Sequence, residues 1–202
     1  MTTFYRIIYS IAAPIIRLLF PRRVVGLENL REGGALLCAN HASGWDPIII
    51  AMALPRDSRL TVMAKDSLFK IPVLGFLLRK LGIFPVRRGG SDLTAMKTAM
   101  KVLHEGNRLL VFPEGTRVEE QGEVEAKGGV TVMAVRTGVP MIPVYCGEKH
   151  KFLRKTTVVF GEPYIPVIAG RRPTPDENRE IAAEVLKRIY ALKEVDGWKK
   201  KE

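Results

Sequence analysis

Apolar positions along this chain fall into short blocks whose spacing alternates between strand-like runs and helix-like steps of three and four. Met1 to Phe20 is apolar apart from Arg6, Arg17 and a few hydroxyls, and Pro14 interrupts it. After the turn at Gly33-Gly34, the run Ala35 to Ala39 predicts a buried strand, Asp46 to Leu54 a helix, and Leu60 to Ala64 a second strand. Leu68 to Leu81 predicts a helix that is apolar on nearly every side, with Lys70, Arg79 and Lys80 its only charges and with Pro72 and Gly75 disturbing it. A helix of that kind is buried or faces lipid, so it either borders an apolar groove or belongs to the ordinary core.

Ile83 to Val86 predicts a short strand that ends in Arg87-Arg88-Gly89-Gly90. Ser91 is placed to cap the next helix, whose Leu93, Met96, Met100 and Leu103 recur at helical spacing before Gly106 stops it. Arg108 to Phe112 predicts a strand, Gly129 to Thr137 a short helix, Met141 to Tyr145 a strand opened by Val139-Pro140, and Thr156 to Phe160 the last strand. A final helix starts at Thr174-Pro175-Asp176-Glu177, which combines an N-cap, proline at the first helical position and a glutamate three residues after the cap. Its buried stripe is Ile181, Val185 and Ile189. Strands alternating with helices predict an α/β fold whose mostly parallel sheet is covered by helices on both faces. No repeat, low-complexity stretch or linker divides the chain, so residues 22–202 form one domain behind an N-terminal segment, residues 1–21.

In that segment the uncharged stretch Ile7 to Ile16 is ten residues long, and a spanning helix needs about 20. The segment is therefore expected to lie on a bilayer as an amphipathic helix, its Arg6, Arg17, Phe4, Tyr5, Tyr9 and Phe20 suiting the headgroup interface. A buried N-terminal helix is the alternative. A signal peptide fits less well, because Pro21-Arg22-Arg23 makes a poor cleavage site.

Composition narrows the partners. The 202 residues are 47% hydrophobic and 26% charged, which excludes a disordered chain. The net charge of +11, from 32 Lys and Arg against 21 Asp and Glu, favours a phosphate-bearing or anionic partner. Aromatic residues are few, at 7%, and are not interleaved with Lys and Arg as base-stacking platforms require, which argues against nucleic acid. Cys38 and Cys146 are too few for a disulfide framework, and no Cys/His cluster has zinc spacing, so no metal site is expected. Cys38 reads as a buried strand cysteine, with a thiol nucleophile as the alternative. The tail Trp198-Lys199-Lys200-Lys201 either touches anionic lipid or is a solvated charged end.

Two clusters carry candidate chemistry. Asn40-His41-Ala42-Ser43-Gly44-Trp45-Asp46-Pro47 follows the first buried strand and sets His41 five residues before Asp46. On a continuous helix that step turns the side chains roughly 140° apart. Gly44 would let the chain turn sharply, Asp46 suits an N-cap and Pro47 the first helical position. An unperturbed imidazole titrates at about 6.5, so His41 could take a proton from a hydroxyl, with Asp46 fixing its tautomer. Taken alone, the pair also reads as a helix cap beside a polar loop histidine.

The second cluster, Phe112-Pro113-Glu114-Gly115-Thr116-Arg117, leaves the end of a buried strand, the edge at which open α/β sheets bind ligands. Gly115 permits a tight turn, Thr116 offers a hydroxyl, and Arg117 a planar fork matched to phosphate or carboxylate. The alternative is a Glu114–Arg117 surface pair. Lys127-Gly128-Gly129 could add donors at a helix N-terminus. Lys65 and Arg87-Arg88 also follow strands, so three strand ends present cations on what is expected to be one rim, and a phosphate is the expected ligand.

With these blocks in hand, the chain resembles the glycerolipid acyltransferase family, most of all the 1-acylglycerol-3-phosphate acyltransferases, over about residues 22 to 165. Asn40-His41 to Asp46 matches the family's histidine, four residues, aspartate block. Gly82-Ile83-Phe84-Pro85-Val86-Arg87 resembles the second block, with Pro85 where a polar residue is common. Phe112 to Arg117 matches the third, and Val139-Pro140-Met141-Ile142-Pro143-Val144 resembles the fourth. Ala64-Lys65-Asp66-Ser67-Leu68-Phe69-Lys70-Ile71-Pro72 is similar to the family's lysine-bearing segment.

The resemblance implies that His41, oriented by Asp46, deprotonates the free hydroxyl of a lysophosphatidate, which attacks an acyl thioester carried by coenzyme A or acyl carrier protein to give phosphatidic acid. It implies that Lys65, Arg87 and Arg117 hold the substrate phosphate, that Glu114 orients these cations or a substrate hydroxyl, and that Gly115 and Thr116 support the site. Neither Ser43 nor Cys38 is then a nucleophile, and no cofactor is implied beyond the acyl-CoA or acyl-ACP co-substrate. The implied partners are the bilayer surface and a lysophospholipid acceptor. The implied location is the cytoplasmic face of a membrane, peripheral or monotopic. Another acceptor, such as glycerol-3-phosphate or a different lysophospholipid, and a non-catalytic basic lipid-binding protein remain alternatives.

Overall fold

The computed structural model describes residues 3–58, 60–87, 92–118, 125–147, 150–170 and 172–195. Arg88, Gly89, Gly90, Ser91 and the tail Trp198 to Lys201 lie outside them. Seven strands form one sheet: β1 (Arg22–Val25), β2 (Ala35–Ala39), β3 (Leu60–Lys65), β4 (Phe84–Val86), β5 (Arg108–Val111), β6 (Met141–Cys146) and β7 (Thr156–Phe160). Six helices accompany them: α1 (Thr3–Leu19), α2 (Asp46–Ala53), α3 (Pro72–Lys80), α4 (Leu93–His104), α5 (Gly129–Thr137) and α6 (Pro175–Val195). The strand order is β1-β7-β6-β2-β5-β3-β4. The four strands β2, β5, β3 and β4 run parallel side by side, with β6 parallel to β2 on its other flank. Their carboxyl ends therefore share one edge.

The pleat of β2 explains why all five of its residues are buried. Ala35, Leu37 and Ala39 pack with Ile49 and Ile50 of α2 and with Phe20, while Leu36 and Cys38 pack with Ala99 of α4, Met133 of α5 and Val185 of α6. The mostly parallel sheet is thus covered on both faces, as the alternation of elements predicts. Each fully buried Leu or Ile of this core contributes about 1.5–3 kcal/mol. Ile181, Val185 and Ile189 are the buried stripe of α6, and its capping box forms: the Glu177 N–H donates to Thr174 Oγ1 at 3.2 Å and the Thr174 N–H to Glu177 Oε2 at 2.7 Å.

Several features differ from the sequence pattern. β1 was not marked by any apolar alternation, because Arg22 and Arg23 occupy half of an edge strand that needs one partner only; it pairs parallel with β7, which in turn runs antiparallel to β6. The predicted Leu68–Leu81 helix is a 3-10 turn, Asp66–Lys70, followed by α3, the break falling at Ile71-Pro72, where proline disfavours helix in the residue before it. α3 is not core either, since Val73 is 82% and Phe76 57% exposed. Asp92, not Ser91, caps α4, its side chain accepting the Ala95 N–H at 3.0 Å. Ala95, Ala99 and Leu103 are buried on α4, whereas Leu93 is exposed because it is the first residue of the helix.

α1 is anchored to the body by one face and open on the other. Tyr9 and Ala13 are buried, the Tyr9 hydroxyl donates to the Leu54 carbonyl at 2.8 Å, and Arg6 bonds Asp57. Ile7, Ile11, Ile15 and Leu18 recur at steps of four, four and three and are each more than half exposed, so the helix carries an uncovered apolar stripe. No described helix is long and apolar enough to cross a membrane.

Candidate active site

His41 lies in the loop between β2 and α2 and Asp46 opens α2, both at the carboxyl edge of the sheet's centre. Asp46 Oδ2 is 2.9 Å from His41 Nδ1 and accepts the backbone N–H groups of Ala42 and Ser43, both at 2.8 Å. These two amide bonds, rather than glycine geometry, make the bend: Gly44 has no positive φ, and a Cβ added there would meet nothing within 4 Å. Asp46 is the first residue of α2 instead of its cap, and its carboxylate turns back onto the loop. Asp46 is fully buried. Burial pushes its carboxyl up, but hydrogen bonds from His150, His41 and Ser43 together outweigh that and hold it below the usual carboxylate value. A carboxylate only accepts, so the nitrogen of His41 that faces it carries the proton and Nε2 is left as the basic atom.

The backbone of His41 is held as firmly as its ring. Its N–H donates to Glu114 Oε2 at 2.8 Å, its carbonyl accepts the Val118 N–H at 2.9 Å, and its ring stacks on Phe112 with centroids 4.1 Å apart. The β2 and β5 loops are therefore joined at the histidine. Glu114, 2% exposed, is no surface partner of Arg117; its other oxygen accepts the Tyr190 hydroxyl of α6 at 2.5 Å. Burial raises the Glu114 carboxyl above its ordinary value against those two hydrogen bonds. Gly115 has φ +71°, so the turn calls for glycine, and a Cβ there would lie 3.1 Å from the Lys127 side chain.

The cations predicted at strand ends reach this same edge. Lys65 ends β3, directly paired with Val86, so Arg87 follows beside it after β4, while Arg117 and Thr116 follow β5; all four are exposed. Arg87 leans toward Asp92, with Nε 3.8 Å from its carboxylate. Cys38 is fully buried and its thiol is pushed far up by desolvation, which suits packing and not nucleophilic attack.

Three further residues hold the loop, and two of them, Tyr190 and His150, had no local signal in the sequence. Asn40 exchanges two bonds with the Cys146 backbone at 2.7 and 2.8 Å, locking β2 to β6 at the site. Tyr190 lies 76 residues from the glutamate it holds. His150, after β6, places Nε2 2.5 Å from Asp46 Oδ1. Asp46, Cys146 and His150 present ligand atoms within 4.8 Å of one another. Asp46 and His150 are bonded directly to each other, and burial raises the Cys146 thiol well above its ordinary value.

Residues 21–147, which span β1 through β6 and hold the loops that follow β2, β3, β4 and β5, match the sequence profile of the Acyltransferase family. The chain belongs to the Acyltransferase family. It is 29% identical over 175 residues to the 1-acyl-sn-glycerol-3-phosphate acyltransferase of Bacillus subtilis, covering 84% of this chain and 87% of that one. The Borreliella burgdorferi enzyme of the same name is 31% identical over 140 residues, 67% of this chain and 54% of its own length. The crystal structure of the 1-acyl-sn-glycerophosphate (LPA) acyltransferase PlsC from Thermotoga maritima superposes with a TM-score of 0.65 at 26% identity, covering 98% of this chain and 80% of that one. The acyltransferase fold of that enzyme is thus this chain's fold along nearly its whole length.

Proposed function

We propose that this acyltransferase moves a fatty acyl group from an acyl thioester, acyl-CoA or acyl-ACP, to the free hydroxyl of 1-acylglycerol-3-phosphate, giving phosphatidic acid. The observation that carries the reading is the buried Asp46 carboxylate bonded to His41 Nδ1, which directs basicity to Nε2 on the edge where Lys65 ends β3, Arg87 follows β4 and Arg117 follows β5. The two related enzymes and the Thermotoga structure, all named for this acceptor, support it.

In this mechanism His41 Nε2 takes the proton of the acceptor hydroxyl as the oxygen attacks the thioester carbonyl carbon. Asp46 stabilises the imidazolium that forms. The tetrahedral intermediate collapses with cleavage of the carbon–sulfur bond, and the leaving thiolate takes the proton back from His41. Arg117, Lys65 and Arg87 hold the acceptor's phosphate and so fix the hydroxyl near His41. Glu114 acts through the chain: it fixes the His41 backbone and ties it to Tyr190, while Gly115 and Thr116 shape the turn that presents Arg117.

The acceptor is a lipid and the donor thioester arrives from water, so the enzyme works at the cytoplasmic face of a membrane. The exposed stripe Ile7, Ile11, Ile15 and Leu18 of α1 enters the bilayer surface without crossing it. The test offers lysophosphatidate, lysophosphatidylcholine and glycerol-3-phosphate in parallel, each with acyl-CoA and with acyl-ACP, and follows products by mass spectrometry. Phosphatidic acid as the dominant product supports the proposal. Preference for either other acceptor, or no thioester consumption at all, overturns it.

A further inference from the structure

The carboxylate that orients His41 has two oxygens, and the reaction just proposed uses one. Oδ2 is saturated by three donors, His41 Nδ1 and the Ala42 and Ser43 amides. Oδ1 faces His150 Nε2 at 2.5 Å, in a place where neither side chain has any exposure to solvent. His150 is itself held by its surroundings. Its Nδ1 is 3.3 Å from the Thr156 hydroxyl on β7, and the Cys146 thiol of β6 lies 3.8 Å from its Nε2. Two residues on, the Phe152 ring packs on Phe20 at 5.0 Å and on Trp45 of the catalytic loop at 6.3 Å, and the Leu153 N–H donates to the Leu19 carbonyl at 2.8 Å.

We infer that His150 is a positioning residue for acyl transfer, donating through Nε2 to Asp46 Oδ1 so that the carboxylate cannot turn and Oδ2 stays on His41. Because an ionised carboxylate offers no proton, both imidazole nitrogens that face it carry hydrogens. For His150 this leaves Nδ1 as an acceptor, and Thr156 is the hydroxyl placed to donate to it. For His41 it fixes the tautomer with a free Nε2. A carboxylate tied at Oδ2 alone keeps the freedom to swing about its Cβ–Cγ bond, and each partial rotation draws the accepting oxygen away from His41, Ala42 and Ser43 together. The bond to His150 removes that freedom. His150 lies beyond the four sequence blocks and 104 residues from Asp46.

This inference rests on the proposed role of His41 as base, and four variants separate the two. Gln can overlay its amide nitrogen on Nε2, whereas Asn overlays Nδ1 and leaves Asp46 Oδ1 without a donor. In purified protein at a membrane surface with lysophosphatidate and acyl-CoA, His150→Asn and His150→Ala are expected to lower kcat about 10- to 100-fold, the range typical of losing an outer partner that orients a ligating histidine. The KM of neither substrate should move by more than about threefold, since His150 meets neither substrate in this scheme. His150→Gln should return kcat to within about fivefold of wild type. Nitrogen-15 NMR of the His41 ring should show the Nδ1–H tautomer in the wild type and in His150→Gln, and a mixture of tautomers in His150→Asn. A His150→Asn protein with kcat within about threefold of wild type and an unchanged His41 tautomer overturns the inference, as does a folded His150→Gln protein no better than His150→Asn. If His41→Ala keeps turnover, the base assignment itself falls; if His41→Ala is inactive while His150→Asn behaves as wild type, only the role of His150 falls.

Discussion

Replacing Asp46 by asparagine isolates what the charge of that side chain contributes, because the amide keeps its shape. The buried carboxylate accepts four N–H groups, three on Oδ2 and one on Oδ1. In Asp46→Asn the amide oxygen must settle at the Oδ2 position, since the amide nitrogen there would face three donors at once. The nitrogen then points at His150 Nε2, which has to shed its proton to accept. His41 keeps its tautomer but loses an anion 2.9 Å from the imidazolium that forms in the transition state. Where a triad aspartate is replaced and the tautomer is lost as well, the cost is about 10⁴ in kcat. With the tautomer retained, the expected fall is smaller, about 10² to 10³, or roughly 2.7–4 kcal/mol at 1.36 kcal/mol per tenfold.

Stability should fall too. Hydrogen bonds to a charged group contribute about 1.5–3 kcal/mol and neutral ones about 1 kcal/mol, so weakening this set costs about 2 kcal/mol. For a chain of this length that lowers Tm by about 4–8 °C. Thiol release from acyl-CoA in the presence of lysophosphatidate, with thermal unfolding followed by circular dichroism, reads both effects. A folded Asp46→Asn enzyme within about threefold of wild-type kcat would refute the reasoning that Asp46 acts on His41.

The remaining predictions concern the other parts of the site. Arg117→Ala should chiefly raise KM for lysophosphatidate, by about 10- to 100-fold for a lost charge-assisted contact of about 1.5–3 kcal/mol, with kcat little changed; an unchanged KM argues against phosphate binding there. Ser in place of Ile7, Ile11 and Ile15 removes about 1 kcal/mol of lipid burial at each half-exposed site, so partitioning onto anionic vesicles measured by sedimentation should drop by at least about 100-fold, and equal binding excludes α1 as the docking element. Acid should destabilise the fold through Asp46. Its folded pKa lies below its unfolded value, so its contribution is present above about pH 4 and is lost as pH falls through the folded value. Urea midpoints of wild type and Asp46→Asn should therefore converge on going from pH 7 toward pH 3, and a constant gap contradicts the assignment.

Much of the architecture was legible because the elements that build the sheet's centre carry their own signals. β2 and β7 have the predicted bounds, Ala35–Ala39 and Thr156–Phe160; for β2 an uninterrupted apolar run is what a strand buried on both faces requires. Edge elements were harder. β1 carries Arg22-Arg23 and no strand pattern, and α3 looked like core although Val73 and Phe76 are exposed and its leucines only half-buried. At the site, His41 and Asp46 are five residues apart, so short-range spacing could pair them. His150 and Tyr190 join it only through the strand order, which places the ends of β6 and β2 side by side and brings α6 onto the same face, and the same pairing gives Asn40 its partner in Cys146. Glu114 was visible as a strand-end charge, but its inward turn toward the His41 amide depends on the junction of two loops 73 residues apart.

The central claim is that His41 Nε2 takes the proton from the acceptor hydroxyl. Its most direct test is the rate of phosphatidic acid formation by purified His41→Ala, measured by mass spectrometry with lysophosphatidate and a saturating acyl thioester, on protein shown by circular dichroism to be folded. The account predicts a fall of about 10²- to 10⁴-fold in kcat, the usual worth of a general base, with binding to lipid vesicles unchanged. Turnover within about tenfold of wild type would contradict it.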